Sequence, residues 1–153
     1  MKILDISYLK NHPTEKGYTV KEVLEEALSE NFMKSTGNVK ILPVEKEHIN
    51  KVKETAQEIG VFYQLSKADL KLLALAYKFR DKCILLTNDF YIQNLCYFLG
   101  ITFKGDITIK KAIIYRYYCE RCNKIGNIPI CSVCGGLCRR FIYKEIDLKT
   151  NQS

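Results

Sequence analysis

Cys83-Ile84-Leu85-Leu86-Thr87-Asn88-Asp89-Phe90, followed by Leu99-Gly100-Ile101-Thr102-Phe103, decides the fold. The first four residues form a short apolar run, the mark of a strand buried on both faces. Thr87-Asn88-Asp89 ends it, and Phe90–Leu99 is expected as a helix stopped by Gly100. Ile101–Phe103 is a second short strand. Upstream, Ser66–Arg80 is expected as a helix apolar on most sides, carrying Leu70, Leu72, Leu73, Ala74, Leu75, Ala76, Tyr77 and Phe79. Such a helix packs against more than one neighbour.

Working outward gives more of the same alternation. Lys2–Asp5 is expected as a first strand and Ser7–Tyr18 as a loop. Thr19 and Glu22 have the spacing of a capping box for a helix bearing Val20, Val23, Leu24, Ala27 and Leu28. Ser35–Asn38 is a turn, and Val39–Val44 a strand whose Pro43 suits an edge. Glu45–Ile59 is a helix with Ile49, Val52, Ala56 and Ile59 on one face, stopped by Gly60. Alternating strands and helices predict an α/β fold, a parallel sheet with helices on both faces. In such sheets ligands bind beyond the carboxyl ends of the strands.

After Asp106 the character changes. Ala112–Tyr118 and Cys138–Tyr143 are rich in β-formers and flank two C-x-x-C pairs. Cys119, Cys122, Cys131 and Cys134 have the spacing of a four-thiolate zinc site, each pair forming one knuckle. A redox dithiol pair is the alternative, and Cys138 is a competing ligand. Gly126, Gly135 and Gly136 supply tight turns. Four sulfur ligands leave no open position, so the zinc is expected to be structural. The expected units are 1–106, an α/β domain; 107–144, a small β zinc ribbon with its lead-in strand; and 145–153, a tail.

The chain has 153 residues and seven cysteines. An odd number cannot all pair internally, and paired C-x-x-C in an intracellular chain indicates metal. Cys83 and Cys96 lie in apolar stretches and are expected in the core. No apolar run approaches a membrane span of about 18–20 residues. The acid at Asp5 comes too early for a secretory signal, so a cytoplasmic location with no membrane partner is expected.

Charge is uneven. Residues 1–103 hold 14 Lys/Arg against 13 Asp/Glu, whereas residues 104–144 hold nine against two. A cationic segment of this kind suits a polyanion, and nucleic acid is the expected partner, a solvated surface being the plain alternative. The candidate nucleic-acid-binding residues are Lys110, Lys111, Arg116, Arg121, Lys124, Arg139 and Arg140. Tyr115, Tyr117 and Tyr118 are candidates to stack on bases, although sheet packing is the expected role for at least two of them.

Three acids stand where strands end or helices begin: Asp5, Asp69 and Asp89. Each has a plain structural reading. Asp69 completes a capping box with Ser66, Asp89 is an N-cap, and Asp5 is a turn residue. The expected topology nevertheless brings them to one edge of the sheet. Two carboxylates about 4 Å apart repel by about 4 kcal/mol at an effective dielectric of 20. A cluster therefore needs protons or a cation, and oxygen-only ligands suit Mg²⁺ or Mn²⁺.

Several stretches together carry a family resemblance: Ile3-Leu4-Asp5-Ile6-Ser7, Val23-Leu24-Glu25-Glu26, Leu65-Ser66-Lys67-Ala68-Asp69 with Leu73-Ala74-Leu75-Ala76, and Leu86-Thr87-Asn88-Asp89-Phe90 with Gln93-Asn94. With the ribbon behind them, the chain resembles the PIN-domain, zinc-ribbon endoribonucleases of ribosome biogenesis, in their short archaeal form. Those enzymes mature the 3′ end of small-subunit ribosomal RNA. The resemblance implies that Asp5, Glu26, Asp69 and Asp89 bind catalytic Mg²⁺ or Mn²⁺. Periodicity does not choose among Glu22, Glu25, Glu26 and Glu30; only the motif selects Glu26. The family carries two acids after the Thr of the fourth motif, and here Asn88 takes the first place. The implied function is metal-dependent cleavage of precursor ribosomal RNA. The alternatives are a non-catalytic RNA-binding assembly factor and a toxin-like PIN ribonuclease.

Overall fold

The structure is a computed structural model that describes residues 1–31 and 37–149. The expected turn at Ser35–Asn38 falls partly outside them. Five short strands form one parallel sheet: β1 (Lys2–Leu4), β2 (Gly17–Thr19), β3 (Val39–Ile41), β4 (Ile84–Leu86) and β5 (Thr102–Lys104). Their order is β3-β2-β1-β4-β5. The helices between them are α1 (Ile6–Leu9), α2 (Lys21–Ser29), α3 (Lys46–Glu58), α4 (Lys67–Lys78) and α5 (Phe90–Leu99), with a single 3₁₀ turn at Phe62–Gln64. Right-handed crossovers put α1 and α2 on one face and α3, α4 and α5 on the other. The packing agrees, since α1 meets α2 while α3 meets both α4 and α5.

The strand order matters for function. From β1 the chain winds one way through β2 to β3, and from β4 the other way to β5. Neighbours β1 and β4 therefore flank the point where winding reverses, and crevices open beyond the strand ends there. The backbone is closed at this place, with the Asp5 N–H donating to Leu86 O at 3.0 Å.

The hydrophobic pattern puts the core where expected. Leu72, Leu73, Ala74 and Leu75 of α4, Leu85 of β4, and Ile92, Leu95 and Cys96 of α5 are fully buried. Cys83 is buried as well, and burial pushes its thiol up to about 11. Leu28 is the exception on α2, since it lies exposed. Pro43 lies just past β3, which is an edge strand.

Two local expectations fail. The segment expected as a loop contains α1 and β2. Thr19 does not cap α2: it ends β2, lies buried, and its hydroxyl donates to Leu4 O at 2.8 Å. Val20 holds the cap position without a side-chain bond. Pairing with β1 gave the hydroxyl a buried carbonyl to donate to, in place of the N–H donors of a helix end.

A three-stranded antiparallel sheet follows: β6 (Lys111–Cys119), β7 (Lys124–Gly126) and β8 (Arg139–Asp147), in the order β7-β6-β8. Glu145–Asp147, expected in the tail, complete β8, while residues 150–153 lie outside the described part. The lead-in is pinned to the first sheet. Gln93, fully buried, donates to Thr87 O at 2.9 Å and Ile107 O at 3.0 Å and accepts from Ile109 N–H at 2.9 Å. Asn94 bonds both Ile113 N–H (2.7 Å) and Ile113 O (2.9 Å), as a strand neighbour would.

Two glycines allow close backbone approach. Gly60, at φ +75°, lies against the Tyr115 carbonyl, and Tyr115 N–H donates to Ile59 O at 2.9 Å. At Gly105 a Cβ would sit 2.5 Å from Gln93 Nε2 and closer still to Thr87 O. Gln93→Ala should therefore lower the unfolding free energy by about 3 kcal/mol, because it leaves a cavity and three orphaned polar groups. A urea midpoint measures this, and an unchanged midpoint would show that water replaces the amide.

Candidate functional site

The three aspartates converge at the reversal point, and each caps a helix on the way. Asp5 precedes α1 and is 2% exposed. Its Oδ1 accepts from Ile6 N–H at 2.8 Å, and its Oδ2 accepts from the Ser7 and Thr87 hydroxyls, both at 2.7 Å. Asp69 forms the expected capping box: Ser66 N–H donates to its Oδ2 at 2.8 Å, and its own N–H donates to Ser66 Oγ at 3.1 Å. Asp89 Oδ1 accepts from Tyr91 N–H at 2.8 Å and Ile92 N–H at 3.2 Å, the expected N-cap.

The capping roles leave capacity over. Oδ1 of Asp69 and Oδ2 of Asp89 have no donor among the described residues. The acids also feel one another. Burial pushes the Asp5 carboxyl up; the Thr87 and Ser7 hydroxyls pull it back, and the charges of Asp69 and Asp89 push it up again. Burial likewise raises Asp69, opposed by its bonds to Ser66 and reinforced by Asp89. A cation among the three would relieve this.

The carboxylates do not close into a group with all ligand atoms within 4.8 Å, as the cysteines do. That looseness fits a hard, hydrated ion, since Mg²⁺ keeps several waters and takes only one or two carboxylates directly.

Glu26 stands apart. It is exposed on α2, outside the set that perturbs Asp5. The structure nonetheless separates the four glutamates that periodicity could not. Glu22 pairs with Lys71, Glu25 with Lys21 at 3.7 Å, and Glu30 with Lys10 at 3.3 Å. The Glu26 carboxylate has no partner among the described residues.

Asn88 faces elsewhere. Its Oδ1 accepts from Asp106 N–H at 2.7 Å, and its amide donates to Asp106 Oδ2 at 2.9 Å and Ser7 O at 3.3 Å. A carboxylate at this position would meet the Asp106 carboxylate and a carbonyl oxygen. Asp106, expected only as the boundary where the sequence changes character, is the hub of this network. It also bonds His12 Nε2 at 2.8 Å and Asn11 Nδ2 at 3.2 Å. His12, then Asn88 and Asn11, hold its carboxyl below the usual range. Ser7, Thr87 and the Asp106 hub were not identifiable as site residues from sequence, because the bonds joining Thr87 to Asp5 and Ser7, and Asp106 to Asn11 and His12, span about 80 to 95 positions.

The second site is the cysteine cluster. The sulfurs of Cys119, Cys122, Cys131 and Cys134 all lie within 4.8 Å of one another. Cys119 and Cys134 are 3.7 Å apart, close to the edge of about 3.8 Å expected for a tetrahedron with 2.3 Å metal–sulfur bonds. Backbone N–H groups of Cys134 and Val133 pull the Cys131 thiol down to about 6. Cys122, facing Cys134 and the other sulfurs, is pushed up to about 12. Cys138 is outside the cluster, its sulfur directed at Gly136 O at 3.9 Å.

The cations divide three ways. Arg116 donates to Glu58 O at 2.7 Å and Tyr115 O at 2.8 Å, and Arg140 lies over the Tyr91 and Tyr115 rings. Lys111 pairs with Glu145 at 3.0 Å and Arg139 with Glu120 at 3.1 Å. Lys110, Arg121 and Lys124 are exposed with no partner among the described residues. Tyr117 is buried, and Tyr118 bonds Asn123 Oδ1 at 2.5 Å.

No described helix is long and apolar enough to cross a membrane. The family profile "PIN domain of ribonuclease" matches residues 3–79. The chain is 34% identical to the endoribonuclease Nob1 of Pyrococcus abyssi, over 87% of this chain and 88% of that one. It is also 34% identical to the endoribonuclease Nob1 of Methanocaldococcus jannaschii, over 95% and 79% respectively. The ribonuclease VapC1 of Thermoplasma acidophilum is 31% identical, over 70% of this chain but 56% of that one. With a parallel sheet carrying acids at its reversal point and a four-cysteine ribbon behind it, the chain belongs to the PIN-domain ribonucleases, within the archaeal Nob1 endoribonuclease family.

Proposed function

We propose that this endoribonuclease depends on Mg²⁺ or Mn²⁺ and cuts precursor small-subunit ribosomal RNA during ribosome maturation in the cytoplasm. The observation that carries the metal dependence is the convergence of Asp5, Asp69 and Asp89 at the β1/β4 reversal point, with spare oxygens on Asp69 and Asp89. These three hold the ion; the resemblance adds Glu26, which stands apart from them and is the α2 carboxylate with no lysine partner among the described residues. The bound ion supplies an activated water and neutralises charge developing on the phosphodiester. Ser7 and Thr87 fix the rotamer of the Asp5 carboxylate, and Asn88 with Asp106 sets the loop beside it. Preorganised oxygens of this kind need not reorient when the phosphate arrives.

The cysteine cluster holds zinc. Four sulfur ligands leave no open position, so that ion shapes the ribbon and does no chemistry. The division at 106/107 separates the unit that cuts from the unit that grips. Lys110, Arg121 and Lys124 form the freest part of the grip. A toxin-like PIN ribonuclease would have no use for such a ribbon.

The test is incubation of the full chain with a transcript extending past the 3′ end of small-subunit RNA, with Mn²⁺ or Mg²⁺ and with neither. A discrete, metal-dependent cut is expected. If neither ion produces a cut, the non-catalytic assembly factor is the better reading. About five phosphate contacts to single-stranded RNA would make log affinity fall with log salt at a slope near −3.5. Replacing Lys110, Arg121 and Lys124 by Gln should flatten that slope by about 2. An unchanged slope would move the grip elsewhere.

A further inference from the structure

Between the start of α5 and strand β6 lies a cavity of about 300 Å³. Its walls are Phe90, Tyr91, Ile109, Ile113 and Tyr115, with Asn94 and Lys111 as the polar members. The volume is at the lower end for small-molecule sites, suited to one planar heterocycle. The walls are preformed. Asn94 is locked to both polar groups of Ile113, and Tyr115 is tied by its N–H to Ile59 O at 2.9 Å.

Phe90 follows Asp89 directly and is 53% exposed. A single exposed aromatic ring is ordinary on a protein surface. This one continues into two more rings, Tyr91 and Tyr115, whose centroids are 6.4 Å apart. Arg140 lies 5.5 Å from the Tyr91 centroid and 4.4 Å from that of Tyr115, and donates to Tyr91 Oη at 2.8 Å. No carboxylate pairs with Arg140 among the described residues, and its Nη1 is buried without an acceptor, so its charge is not locally neutralised. An aromatic cavity that begins at the residue after Asp89, an acid of the proposed metal cluster, is thus backed by an unneutralised guanidinium. A single-stranded nucleotide offers the complement, a flat face with an attached anion.

We propose that this cavity receives one unstacked nucleobase of the RNA strand, from the nucleotide beside the scissile phosphate. The base lies against Phe90 and the Tyr91–Tyr115 pair, and the backbone phosphate is drawn toward Arg140. Recognition is through the base face, so it tolerates any base. The placement beside the cut rests on the metal-holding role proposed for Asp5, Asp69 and Asp89.

The experiment measures binding without added Mg²⁺ or Mn²⁺, so that no cleavage is needed. The full chain, zinc retained, is titrated into a short single-stranded RNA carrying 2-aminopurine at each position in turn. One position should change its fluorescence on binding far more than the others. Phe90→Ala should erase that signal and weaken binding about tenfold with an unchanged salt slope, while Phe90→Trp should keep both. Because Phe90 is exposed, the thermal midpoint of the Ala variant should match wild type. Wild-type affinity in Phe90→Ala, with no position responding, would overturn the proposal and leave the face to a protein contact. An absent cut with Mn²⁺ but an intact 2-aminopurine response would sink the nuclease assignment alone. The reverse pattern would sink the base pocket alone.

Discussion

Asp5→Asn should reduce cleavage by more than about 100-fold, since even residues behind metal ligands cost 10- to 100-fold when replaced. It should also leave the protein more stable than wild type when no Mg²⁺ or Mn²⁺ is added. The two effects have one origin. Asp5 is buried beside two other acids, and its carboxyl is pushed above the ordinary carboxylate value. The folded state therefore holds this proton more tightly than the unfolded state does. That contribution is present below the ordinary carboxylate range, near 3.9, and is lost as pH rises through the raised folded value. At neutral pH an ionised Asp5 is a net cost, offset in part by the Thr87 and Ser7 hydroxyls and relieved further by a bound cation. Asn keeps the size and the cap to Ile6 N–H but carries no charge. Thermal midpoints without divalent ions should favour the variant at neutral pH, with an advantage that shrinks as pH falls below the carboxylate range. High Mn²⁺ should restore part of the rate. A folded Asp5→Asn protein that cuts at the wild-type rate would refute the role of Asp5, provided the preparation is free of contaminating ribonuclease.

Removal of zinc, by a strong chelator or by Cys131→Ser, should unfold residues 119–138 and spare the rest. The reason is a missing core. In this tip Ile125, Ile130, Val133 and Leu137 are 58%, 51%, 65% and 88% exposed. Its regular structure is the three-residue β7 and one isolated bridge, Ile130 to Leu137. So little burial cannot order 20 residues, and the zinc proposed for the four cysteines would supply of order 10–16 kcal/mol. The long pairing of β6 with β8 is different, because Asn94, Gln93 and Gly60 hold its lead-in against the helices. Hydrogen exchange should lose protection in the tip and keep it in Ala112–Tyr117, while metal analysis falls from one zinc per chain to none. RNA affinity should drop with the tip, through Arg121 and Lys124. A tip that stays protected in chelator would refute the metal's structural role.

The longer helices and the cysteine knuckles were legible because their signals are local. Phe90–Leu99 runs as expected, from the Asp89 cap to Gly100 in the left-handed conformation. Apolar spacing, cap and stop all fall within one helix, where near neighbours decide the conformation. The C-x-x-C pairs are the same kind of signal, since each knuckle is closed by the backbone between its two cysteines. The segment Gly17-Tyr18-Thr19 carries no such signal. Three residues cannot show an alternation, and they become a strand only because β1 and β3 pair with them on either side.

The sites required the fold. The sequence alone could determine that Asp5, Asp69 and Asp89 stand at element ends, and there a capping role and a metal role look alike. Both are compatible in the structure, because capping uses one oxygen of Asp69 and of Asp89 and leaves the other. Which α2 glutamate stays unpaired was settled by lysines from elsewhere in the chain, Lys71 and Lys10 among them. Asn88 and Asp106, separated by 18 residues, became a hydrogen-bonded pair only when β5 carried the chain back beside β4. Secondary structure follows from contacts a few residues apart, which a sequence displays directly. A crevice at a winding reversal is made by contacts some 80 residues apart, and only the packed sheet brings those together.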